Sequence, residues 1–185
     1  RPISTNGRLG SGFTVWLTGL PCSGKTTLAK LLEKHLERCG HRTVVFDGDE
    51  VRDRLSKGLG FSKEDRIENI RRISYVCRLV TQLDGVAIAA AISPHRSARK
   101  EARREIGNLV EVYVKCSIEK CIKRDVKGHY QKALQGKIQN FTGVSDPYEE
   151  PLKPDIVVDT ERQTPEESLD SILEGLKGMG CIQDA

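Results

Sequence analysis

The chain has 185 residues, enough for one domain with a substantial core. Apolar residues make up 37% and charged residues 30%, and 30 Lys+Arg against 26 Asp+Glu leave a net charge of +4, the mix of a soluble α/β protein. No run approaches the roughly 18 apolar residues that a membrane-spanning helix needs, while the small positive excess suits an anionic small molecule as well as nucleic acid.

The opening RPISTNGRLGSG lacks the apolar core of a signal peptide and reads as an extension over 1–12. It starts with Arg rather than Met, which leaves open a piece cut from a longer chain. Apolar runs rich in Val and Ile then predict buried strands at Phe13–Thr18, Thr43–Asp47, 86–92, 110–115 and Ile156–Asp159. Between them, helices are expected at Lys25–Arg38, stopping at Gly40; at 63–83, after Ser62 with Asp65 as its reciprocal cap; and at 97–107 and 118–126. Thr164-Pro165-Glu166-Glu167 opens a last helix with a cap, a proline at the first position and an acid three residues on. The alternation predicts an α/β fold: a doubly wound, mostly parallel five-stranded sheet with helices on both faces. One domain over 13–180 and a short tail at 181–185 follow. The stretch 127–152 is polar and broken by Gly128, Gly136, Gly143, Pro147 and Pro151. It reads as a lid, or as a plain surface excursion.

Six cysteines, at 22, 39, 77, 116, 121 and 181, form no CxxC pair and read as reduced thiols of a cytosolic protein. No clustered zinc ligands are present.

Chemistry enters after the first strand, in GLPCSGKTT. Gly19-x-x-x-x-Gly24-Lys25-Thr26 is the phosphate-binding loop pattern in its strand–loop–helix setting. Its glycines let backbone N–H groups converge on phosphate, and the following helix aims its positive end at the same anion. Lys25 neutralises the β and γ phosphates, and Thr26 offers a hydroxyl to Mg²⁺. The ATP-binding set is Gly19, Leu20, Pro21, Cys22, Ser23, Gly24, Lys25, Thr26 and Thr27. No base-reading NKxD motif marks a GTPase. The compact size and glycine-rich lid favour a small-molecule kinase.

In TVVFDGDEVR, Asp47 and Asp49 end the second strand, where α/β ligand crevices lie. Either acid can serve Mg²⁺, directly or through water, or take a proton from an attacking hydroxyl. Arg52 follows at gripping distance for an anion. In GFSKEDRIENIRR, Phe61 stands among polar residues, and Arg66, Asn69 and Arg72 share one helical face. That face binds an anion and reads a base, or is a solvated face of Glu–Arg pairs. The third strand ends in AISPHR, with Ser93 where many nucleotide-binding folds keep a magnesium aspartate. Ser93 either carries a phosphoryl group or hydrogen-bonds substrate together with the Ile92 backbone, and the second role is the one expected. The basic run 96–104 reads as a solvated helix, with Arg96 nearest the crevice.

From about Gly12 to Gly175 the chain resembles adenylylsulfate kinases of the P-loop kinase type. The matching stretches are GLPCSGKTT, DGDEVR, GFSKEDRIENIRR, AISPHR, KRDVKGHY, NFTGVSDPYEEP and the TPEES run. The resemblance implies transfer of the ATP γ-phosphoryl group to the 3′-hydroxyl of adenosine 5′-phosphosulfate (APS), with Mg²⁺ required. By the same resemblance Arg52, Arg66 and Asn69 hold APS, Phe61 and Phe141 sandwich its adenine, and Lys127 serves near the reacting phosphates. Asp49 stands near Mg²⁺ and the 3′-hydroxyl, Arg124 joins the ATP set, and Ile92, Ser93 and Asn140 join the APS set. Lys25, Asp49, Ser93 and Lys127 form the catalytic group. Glu50, His95, Leu134, Lys137 and Gln139 depart from the usual pattern. The implied partners are ATP and APS, with neither nucleic acid nor membrane. A cytoplasmic homodimer is expected, and fusion to or association with an ATP sulfurylase stays open. A kinase for another small nucleotide, or a degenerate regulatory module, remains the alternative.

Overall fold

The computed structural model describes residues 11–183. Most of the expected extension (1–10) and the end of the expected tail (184–185) lie outside the described residues. In chain order the elements are β1 Phe13–Thr18, α1 Lys25–Arg38, β2 Thr43–Asp47, α2 Gly48–Arg54, α3 Lys63–Gln82, β3 Val86–Ala90, α4 Arg96–Ile106, β4 Leu109–Lys115, α5 Ile118–Arg124, α6 His129–Leu134, β5 Ile156–Asp159 and α7 Pro165–Gly178. The five strands lie in the order β2-β3-β1-β4-β5, and every pairing is parallel. This is the expected α/β architecture.

Strand pleating sends alternate side chains to opposite faces. On β1, Phe13, Val15 and Leu17 join Leu28, Leu32 and Leu36 of α1 and Ile172 and Leu176 of α7. Trp16 points the other way, into Ile70, Ile73 and Cys77 of α3 and Ala98 and Ala102 of α4. Ala87, Ala89 and Ala91 lie on that second face, where small side chains leave room for the indole and two helices. The register pairs Leu17 with Ala90 and Asp47 with Ala90, and Thr18 with Tyr113. The carboxyl ends of four strands therefore form one rim, where the candidate site lies.

Helix starts follow local chemistry. Thr164 and Glu167 make the full reciprocal box of α7: Glu167 N donates to Thr164 Oγ1 (3.2 Å) and Thr164 N to Glu167 Oε2 (2.8 Å). At α3 only half of the expected box forms. Asp65 N donates to Ser62 Oγ (3.1 Å), but the Asp65 carboxylate accepts from Gly60 N (2.9 Å) and ties down the loop before the helix. The third strand stops at Ala90, two residues short of the expected end, because Ser93 takes a left-handed φ of 43° ahead of Pro94. The helix expected over 118–126 stops at Arg124. Asp125 leaves helical geometry and its carboxylate accepts from Tyr130 N (2.9 Å) and Gln131 N (3.0 Å), starting α6 inside the expected lid. Packing runs past the expected domain end, since Ile182 is buried against the α1–α7 face of the sheet.

Candidate active site

The phosphate loop leaves β1 and enters α1 at Gly24, whose φ of 107° is open to glycine but strained for other residues. No side chain caps α1, so its first backbone N–H groups stay available to an anion. Lys25 is buried, and its amino group donates to Gly19 O (2.8 Å), Leu20 O (2.7 Å) and Ser23 Oγ (3.4 Å). Burial pushes this amine down to about 8, against the pull of Cys121, Asp47 and Cys22. Asp47 thus lies within electrostatic reach of the loop lysine. Thr26 and Thr27 are exposed on the first turn of α1.

Arg124 braces the loop from behind. Its guanidinium donates to Cys22 O (3.2 Å), Ser23 O (3.3 Å) and Thr160 O (2.6 Å). Thr160 Oγ1 donates to Ser23 O at 2.5 Å. Thr160 escaped the sequence reading, because nothing in its local pattern links the end of β5 to the loop.

The second half of the site is gathered from several elements. Arg52 of α2 donates to Gly60 O (2.6 Å) and lies 4.5 Å from the Phe61 ring centre. Arg66 of α3 donates to Phe61 O (3.0 Å) and to Asn140 O of the lid, 5.5 Å from the same ring. Burial lowers the Arg66 pKa, and the Arg52 charge adds to the effect. Two crowded cations over one aromatic ring favour an anionic aromatic ligand. One turn beyond Arg66, Asn69 is buried, and its Oδ1 has no hydrogen-bond partner. A buried orphan acceptor of this kind is open to a donor from a ligand or a water.

Lys127 reaches back across the crevice and pairs with Asp49, so the lid base and the start of α2 meet. Phe61 is exposed (54%), whereas Phe141 is half-buried with its ring edge-on to Tyr130, 5.0 Å between centres. Arg66 ties the two phenylalanines' loops together, since it donates to Phe61 O and to Asn140 O, the residue before Phe141.

Ser93 occupies a different setting. It is 2% exposed, its hydroxyl accepts from Trp16 Nε1 (3.1 Å), and its proton faces Thr18 Oγ1 (3.0 Å) and Ala91 O (3.1 Å). Thr18 in turn donates to Ile92 O (2.8 Å) and meets the Tyr148 hydroxyl at 2.8 Å. The Ser93 hydroxyl is therefore part of a buried polar chain that knits the strand rim to the end of the lid. Arg96 turns to Glu149 and Glu150 at the same lid end. Arg99 also departs from a solvated helix: buried, it donates to Ser93 O (2.5 Å) and Glu149 O (2.6 Å). Among the described residues no three His, Cys, Asp or Glu side chains cluster as a metal cage, and no helix is long and apolar enough to cross a membrane.

The model of the adenylylsulphate kinase family matches residues 11–159. The adenylyl-sulfate kinase of Halothermothrix orenii is 50% identical over 171 residues, covering 92% of each chain. The probable bifunctional SAT/APS kinase 2 of Sorangium cellulosum is 52% identical over 93% of this chain, which spans only 30% of that larger protein. The Mycobacterium tuberculosis APS kinase CysC, solved in complex with AMPPNP and APS, superposes with a TM-score of 0.85 at 36% identity, over 91% of this chain and 99% of that one. By motif, site and likeness alike, the chain belongs to the adenylylsulphate kinase family.

Proposed function

We propose that this chain transfers the γ-phosphoryl group of ATP to the 3′-hydroxyl of APS, giving 3′-phosphoadenosine 5′-phosphosulfate and ADP. The observation that carries the reading is the orphan Asn69 Oδ1 one helical turn from Arg66, which with Arg52 lies over the Phe61 ring, in a chain with a complete phosphate loop. It is a donor-seeking, anion-seeking, ring-stacking surface, as an adenine nucleotide requires.

ATP phosphates draw Lys25 from the loop carbonyls and meet the free N–H groups of α1. Arg124 and Thr160 hold the loop in shape from behind. Arg52 and Arg66 receive the phosphosulfate, Asn69 accepts from the adenine amino group, and Phe61 and Phe141 face the ring. Asn140 and the Ile92–Ser93 backbone border the same pocket. Asp49 takes the proton of the 3′-hydroxyl as the new O–P bond forms, and Lys127 moves from Asp49 toward the transferred group. Such transfer depends on alignment and charge neutralisation more than on covalent help. The Ser93 hydroxyl positions the rim and carries no phosphoryl group.

Mg²⁺ fits this donor set. The Thr26 hydroxyl and Asp49, through water, are hard oxygen donors, and Mg²⁺ keeps waters and takes phosphate oxygens rather than an all-protein cage. When bound it neutralises charge on the phosphates. A cytoplasmic homodimer is the assembly consistent with this reading, with fusion to a sulfurylase partner a further arrangement.

Incubation with ATP and Mg²⁺, with and without APS, tests the proposal. ADP release that depends on APS is expected. Release no faster than without APS rejects it, and nucleotide binding without turnover favours a regulatory module.

A further inference from the structure

Tyr130 is the second residue of α6 and is completely buried. Its hydroxyl donates to Pro21 O, inside the phosphate loop, at 2.8 Å. Its ring meets Phe141 of the lid edge-on, with 5.0 Å between centres and 75° between planes. One stiff side chain thus touches both halves of the crevice. Around it Leu20 and Cys22 of the loop, Phe141 and Val144 of the lid, and Cys116 and Cys121 form a small apolar core apart from the two that flank the sheet. The lid lies directly on the loop there: a Cβ on Gly143 would come within 2.9 Å of Ile118 Cδ1 and 3.1 Å of Leu20 Cδ2. Burial raises the phenol pKa, so the hydroxyl remains a donor.

Lys25 holds Gly19 O and Leu20 O, immediately before Pro21. Phosphates that recruit Lys25 release those carbonyls and resettle the loop at the residue Tyr130 holds. A packed core passes such a shift on instead of absorbing it. We propose that Tyr130 is a positioning residue that couples the phosphate loop to Phe141, so that nucleotide in the loop tightens APS binding under the lid. The inference rests on the functional reading above. By linkage APS tightens nucleotide binding by the same factor.

Calorimetric titration of the full chain with APS, in the presence and absence of AMPPNP and Mg²⁺, measures the coupling. The APS Kd is expected to fall at least about five-fold with AMPPNP in the wild type. In Tyr130→Phe, which keeps the ring and loses the hydroxyl, the ratio falls toward one, and the APS KM rises while kcat at saturation changes less. Phe141→Leu breaks the same path from the other end. It lowers the ratio too, because its direct loss of APS contact cancels between the two titrations. A wild-type ratio of one overturns the coupling, as does an unchanged ratio in a cooperatively folded Tyr130→Phe. Should Tyr130→Phe fail to fold, an unchanged ratio in Phe141→Leu overturns it. Wild type that binds no APS in either titration sinks the functional reading and the coupling with it, whereas APS binding with a ratio of one sinks the coupling alone.

Discussion

The phosphate loop is a single run, 19–27, whose polar groups already hold one another: Lys25 on Gly19, Leu20 and Ser23, with Arg124 and Thr160 on Cys22 and Ser23. The facing half draws on α2, α3 and the lid. Its cations are parked on backbone carbonyls at Gly60, Phe61 and Asn140, and one buried acceptor on Asn69 is left unmet. A loop shared by all phosphate-loop kinases can be complete in itself. A surface that selects one acceptor is finished only by that acceptor. Changes in the first half are therefore expected to act on turnover and ATP, and changes in the second on APS.

The largest expected break is Lys25→Ala. It removes the charge aimed at the transferred group and should lower kcat by roughly two to three orders of magnitude, the scale of other electrostatic deletions. Steady-state kinetics check it, and near-normal kcat rejects the loop assignment.

Asn69→Leu sharpens the contrast. Replacing an unsatisfied buried acceptor with an apolar group of similar size should leave thermal stability unchanged or raise it. The APS KM should nevertheless rise about ten-fold or more, since a ligand hydrogen bond is lost. A fall in Tm with unaltered APS KM makes Asn69 purely structural.

Thr160→Val is the smaller counterpart on the loop side. It removes the 2.5 Å bond to Ser23 O and should raise the ATP KM about five-fold, with the APS KM little moved. Equal effects on both substrates contradict a loop-specific brace.

The last effect is on stability rather than on kinetics, and it is read in pH. The folded amine of Lys25, near 8, lies below the ordinary 10.5. Between those values the unfolded chain binds more protons, so this group makes the free protein more stable as pH rises, by about 3 kcal/mol over the window. The buried thiols of Cys77, Cys121 and Cys181, pushed up to about 11 or 12, act in the opposite sense above their ordinary values. The difference between wild type and Lys25→Met in denaturant unfolding at pH 7.5 and 9.5 isolates the lysine. No difference removes the burial argument.

The sheet, its five strands and the phosphate loop were legible because each depends on neighbours in sequence: apolar runs, glycine spacing and caps such as Thr164–Glu167. Arg52, Arg66 and Asn69 were legible only through resemblance, because a helical face of Arg and Asn reads equally well as solvated. Thr160, Arg99, Tyr130 and Tyr148 were missed because their partners are far along the chain, Pro21 for Tyr130 and Thr18 for Tyr148. Ser93 was placed at the crevice from its strand-end position, but the side of the strand it faces is set by its left-handed φ and by Trp16, which no local pattern reveals.

Acceptor chemistry tests most directly that the two halves form one active site. With ATP and Mg²⁺, ³¹P NMR should show one new phosphate monoester on the 3′ position of APS, and 3′-deoxy-APS should bind without releasing ADP. Transfer to another position, or ADP release that continues with 3′-deoxy-APS, contradicts the account.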